Sequence, residues 1–139
     1  MPRLSVWMIR LSFLHFLGGY TLASLLLSQK GGWDAVPVDI WQYLFLHVDM
    51  LLVGWMVQLS MGVAYWILPR LPGTVTERGR PRFAQAAVIL INAGVVCFAV
   101  VDSALVLSLG ISMQFIGALS FVYHAMPRVR AAMTRRQSA

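Results

Sequence analysis

Two residues able to do chemistry, His47 and Asp49, stand in HVDMLLVGWM, a stretch otherwise as apolar as lipid. An imidazole in such surroundings can coordinate a haem or a metal, relay protons, or make one hydrogen bond between helices. Asp49 can serve as a proton or quinol contact, or simply bond to a neighbouring helix or an aqueous cleft. The other two histidines, His15 and His124, lie in equally apolar stretches near the two ends of the chain. With three histidines and five acidic residues in 139 positions, titratable groups are scarce.

The elements that must carry them are set by composition. The chain is 59% hydrophobic and 12% charged, with a mean hydropathy of +0.74, which places it among integral membrane proteins. Apolar periodicity predicts an all-α, four-helix membrane bundle over 1–139, a single domain with helices at about 7–28, 40–68, 83–103 and 109–127. The first stretch is too long and too polar at its far end for a cleaved signal peptide, so it is expected to stay as a helix. The loop QKGGWDAVPVD supplies turn residues after it, and Pro69 closes the second helix.

Ten of the eleven basic residues fall on one side of these predicted spans: Arg3, Arg10, Arg70, Arg78, Arg80, Arg82, Arg128, Arg130, Arg135 and Arg136. Only Lys30 falls on the other, while Asp34, Asp39, Asp49 and Asp102 lie in or near that outer half. Retention of positive loops in the cytoplasm then puts both termini inside, and a bacterial inner membrane is the expected location. This topology and anionic lipid account for the formal charge of +6, which removes the need for a nucleic-acid partner.

On helix two a 3.6-residue period draws His47, Met50 or Leu51, Gly54, Gln58, Met61 or Gly62, and Tyr65 into one stripe. Its glycines admit a close-lying backbone or a flat cofactor, and Gln58 requires a partner in hydrocarbon. The same period sets Asp49 about 200° away from His47. His47 falls about 10 Å below the outer helix end, whereas His15 and His124 fall in the cytoplasmic half, so those two pair better by depth. Gly18, Gly19, Gly117 and Ser120 offer small surfaces beside them, and His124 is also near enough to the interface to meet headgroups or water. Asn92, Gln85 and Gln114 are expected to form interhelical hydrogen bonds. The methionines are too dispersed for a copper relay, Cys97 is a small apolar packer, and no phosphate loop, CxxC, HExxH or nucleophile elbow occurs.

The stretch HVDMLLVGWMVQLSMGVAYWILPRLPG, from His47 to Gly73, resembles the second transmembrane helix of the haem-copper oxidase catalytic subunit and the related nitric-oxide reductase large subunit. There an outer-half histidine precedes a glycine-containing face, an inner aromatic and a proline-terminated loop. The stretch Arg10 to Leu27 is similar to that family's first helix. The resemblance implies that His47 is an axial ligand of a b-type haem, with Gly54, Gln58 and Tyr65 along its face and His15 and His124 as lesser candidates for the iron. It also argues against oxygen or nitric-oxide reduction, because the chain stops before the helices that carry the catalytic histidines. The family's twelve helices form three four-helix arcs, and four helices resemble one arc. That implies a homo-oligomer, with a trimer rebuilding the ring, passing electrons between quinol and a respiratory partner. Two other readings remain: a non-catalytic accessory or sensory subunit without cofactor, and a small metal or quinol module using His47 with outer carboxylates.

Overall fold

The computed structural model describes residues 1–33, 37–70, 80–99 and 103–137, and shows an all-helical, four-helix protein. Asp34, Arg78 and Asp102 lie outside the described residues, as do the side chains of Arg135 and Arg136. Helix α1 is Arg3–Lys30 and α2 runs over Ile40–Ile67, followed by α3, Pro81–Cys97, and α4, Ala104–Gln137. Three of them, α1, α2 and the Ala104–Ala131 part of α4, are long and apolar enough to cross a membrane. At ~42 Å, 28 residues exceed a hydrocarbon core of about 30 Å. The 17 residues of α3 reach only ~25 Å.

Residue choice explains the boundaries. Gln29, at the end of α1, accepts from Ile40 N and donates to Val38 O, which fastens the entry of α2 to the exit of α1. Asp39 caps that entry by accepting from Trp41 N at 3.0 Å. Leu68 leaves α2 with ψ 136, the extended conformation that a following proline imposes. The fourth helix departs from expectation, since it continues past Pro127 to Gln137 where an end near 127 was predicted. Pro127 faces outward, and the next residue, Arg128, is anchored on a neighbouring helix, so the lost backbone bond does not end the helix there.

The helices form two antiparallel pairs, α1 with α2 and α3 with α4, each packed closely along its length. Ser5 on α1 donates to Gly62 O at 2.7 Å, so the start of α1 lies beside the end of α2. A Cβ on Gly62 would stand 2.9 Å from that of Met8, and one on Gly117 3.2 Å from Ala87 O, showing how closely the backbones approach within each pair. Between the pairs, Met8, Met61, Tyr65, Ala84, Ala87, Ile91 and Phe121 make the apolar core of the inner half.

At that inner end α4 holds α2 through one side chain. Arg128 is fully buried, and its guanidinium donates to Tyr65 O at 3.2 Å, to Pro69 O at 3.0 Å and to Leu68 O. These are terminal carbonyls of α2 and its exit, where the helix dipole is negative and the helix itself supplies no donor. Replacing Arg128 by Met is expected to lower unfolding stability in detergent by about 2–4 kcal/mol, by orphaning several carbonyls at once. Arg130→Met, on the exposed side, should fall within about 0.5 kcal/mol of the native protein in the same denaturation series.

Candidate functional site

The three histidines lie at three different places, each held differently. His47 Nδ1 donates to Gly19 O on α1 at 2.8 Å. A carbonyl only accepts, so Nδ1 carries a proton, and in the neutral ring Nε2 is then the nitrogen with the lone pair. Nε2 makes no hydrogen bond among the described residues, and the ring is half-buried. A histidine whose Nδ1–H is tied to a backbone carbonyl is oriented as metal-ligating histidines are.

His15 is engaged inside. Asn92 donates through Nδ2 to Gln58 Oε1 at 2.9 Å and to Val88 O at 2.7 Å, which leaves Asn92 Oδ1 as acceptor for His15 Nε2 at 2.8 Å. Gln58, fully buried, passes the chain on through Nε2 to Met8 O at 3.2 Å. The run His15 → Asn92 → Gln58 → Met8 O therefore has one donor direction and joins α1, α3 and α2. His15 packs on Gly54, where a Cβ would stand 2.6 Å from its Cγ.

His124 has both ring nitrogens occupied. Nδ1 donates to Arg80 O at 3.0 Å and Nε2 faces Arg128 Nη1 at 3.5 Å, while its ring stacks on Tyr65 at 5.1 Å between centroids. His15 and His124 are not brought together. The first sits against Gly54 and the second against Tyr65, eleven residues or ~16 Å further along α2.

The expected stripe of α2 is broken in its outer third. The buried residues of that helix are Ile40, Asp49, Gly54, Gln58, Met61, Gly62 and Tyr65. From Gly54 inward the intervals are three or four residues, as a 3.6 period requires, but Asp49 to Gly54 is five. The cause is a π-helical stretch, Met50–Val57, whose wider turns take up an extra residue. An unbroken α-helix puts His47 within about 20° of Gly54 and Asp49 about 140° away. With the π stretch in place, Asp49 enters the seam between the two pairs and accepts from Gln114 Nε2 on α4 at 2.7 Å, while His47, half-buried, meets α1 at Gly19 O, the same helix whose His15 fills the space beside Gly54.

Nor does the interior of one chain fit a flat cofactor. The small residues expected to cradle it are filled by neighbours: Gly54 by His15, Gly62 by Met8 and Ile9, Gly19 by Leu51 and Gly18 by Met50. Asn92 and Gln114 bond between helices as their types predicted, whereas Gln85 is exposed and lines a shallow groove with Leu4, Trp7 and Leu11. Among the described residues no three His, Cys, Asp or Glu side chains come together as a metal site. Sequence reasoning missed Arg128, although its position one turn after His124 on the same face was a signal. No family model, curated protein or solved structure matches the chain.

Asn92→Leu is expected to cost about 1–3 kcal/mol in a detergent unfolding titration, by leaving His15 Nε2–H and Gln58 Oε1 unpaired. A double-mutant cycle of His15 with Asn92 should give a coupling of about 0.6–1.7 kcal/mol, the size met for hydrogen bonds between helices in lipid. Gly54→Ala should destabilise by about 1–3 kcal/mol through its clash with the His15 ring.

Proposed function

We propose that this chain is a multi-pass membrane subunit for electron transfer that holds a b-type haem through His47, without the catalytic centre of an oxidase. The observation that carries the reading is the His47 ring itself, with Nδ1 tied to Gly19 O and Nε2 without a hydrogen bond among the described residues. The likeness of His47–Gly73 to the low-spin haem helix of haem-copper oxidases points the same way. A bound haem would supply a one-electron couple whose potential follows axial ligation and burial. The chain's own part is to fix the tautomer of His47 through Gly19 O and to exclude water with the apolar residues around it.

No second axial imidazole is offered by the same interior through His15 Nε2 or His124, whose nitrogens are engaged. The reading therefore places the haem at the outer surface of the bundle, shared with a second copy in a homo-oligomer, a trimer included. Four spans in a bacterial inner membrane, with both termini cytoplasmic and quinol or a respiratory protein as electron partner, complete it. One observation favours a second reading, an accessory subunit without cofactor: the polar side chains of the seam are satisfied by one another.

A reduced-minus-oxidised spectrum of protein purified after expression with ample haem separates the two readings. The haem reading expects a b-type spectrum that His47→Ala abolishes and that His124→Ala leaves in place. Colourless protein, or a spectrum indifferent to His47, would leave the accessory reading standing.

A further inference from the structure

The outer third of α2 has two ways to wind, and the chain is built so that either places one polar residue in the seam. With an unbroken α-helix His47 continues the line of Gly54, Gln58 and Tyr65; with the π stretch Asp49 does. A π-helix of eight residues is rare and less favourable than α-helix, so something must hold it. The stretch also leaves Trp55 Nε1 as a buried side-chain donor with no acceptor, a sign that it is not the local optimum. Two contacts accompany the π winding: Asp49 with Gln114 on α4, and His47 with Gly19 O on α1. The first is the stronger anchor, since the Gln114 amide donates to a buried Asp49 side chain at 2.7 Å and the bond sits between the two helix pairs.

We infer that Asp49 is a positioning residue: its bond to Gln114 locks α2 in the π winding and so sets the rotation at which the His47 ring meets Gly19 O on α1. Release of that bond lets the stretch relax to α-helix, rotates the 40–49 segment by about 100°, the angle of one residue, and carries His47 away from Gly19 O. As an account of how a ligand is presented it rests on the reading of His47 above. The winding itself does not depend on haem, and neither does its test.

The test reads helix register by pulsed electron paramagnetic resonance in detergent, with spin labels at Phe45 on α2 and Ile89 on α3, both exposed, and Cys97 replaced by Ala. The labelled native protein is expected to give one distance. Asp49→Leu and Gln114→Leu should each give a second distance displaced by up to about 10 Å, a helix diameter, and Asp49→Glu should restore the first. A helical, monodisperse Asp49→Leu protein that keeps the native distance overturns the inference.

Deletion of Leu52, exposed within the π stretch, gives an arm that leaves Asp49 intact. It shortens the Asp49–Gly54 interval to the four residues of α-helix. The native distance should then hold to within about 1.5 Å, the rise of one residue, while deletion of Ser60 from the α-helical part scrambles the fold. A large displacement in the Leu52 deletion shows that no extra residue is stored there and overturns the inference equally. A native protein that binds no haem, with Asp49→Leu still shifting the register, would refute the proposed function alone.

Discussion

A polar side chain in hydrocarbon has no water to fall back on, and the hydrogen bonds from His15 to Asn92 to Gln58 meet that constraint. The same two helix pairs are also joined by the apolar core between them, by Gln114 on Asp49 and by Arg128 on the end of α2. Lipid tails are as apolar as leucine, so burying leucine between helices gains little, and close packing with hydrogen bonds has to supply the specificity. Here the chain of donors runs in one direction and ends on a backbone carbonyl, Met8 O, so no amide group along it is left over. It fixes the relative height of α1, α2 and α3, and with it the level at which His15 meets Gly54.

The inner end obeys the same constraint at greater stakes. A buried guanidinium is tolerated at Arg128 because the end of α2 offers several unpaired carbonyls in the negative field of its dipole. Arg128 and the α2 terminus each answer a need in the other. His124 completes the arrangement by bonding Arg80 O and stacking on Tyr65, which ties the start of α3 to the same knot. Arg80 and Arg128 thereby meet at one end of the bundle.

The outer half is built more loosely, and its character comes from one local departure from α-helix. By storing a residue in Met50–Val57, α2 presents two chemically different side chains on two different sides, Asp49 to α4 and His47 to α1. The inward carboxyl finds an amide, and the imidazole is oriented by a carbonyl.

Much of this was legible in the residues. The all-helical class, the bounds of the second helix, the terminating Pro69 and the interhelical roles of Asn92 and Gln114 follow from hydropathy, turn chemistry and the cost of unpaired amides, which are local or solvent-level effects. Helix α4 outran its expected end because Arg128 is anchored on a partner that its own sequence neighbours do not reveal. The winding of α2 was not legible for a related reason: a 3.6 period presumes unbroken α-helix, and the π stretch Met50–Val57 interrupts it between Asp49 and Gln58. Sequence alone therefore determined which groups must be paired in the membrane. Only the tertiary structure decided which pairs form, since hydrogen-bond partners 28 to 77 residues apart are set by packing and not by period.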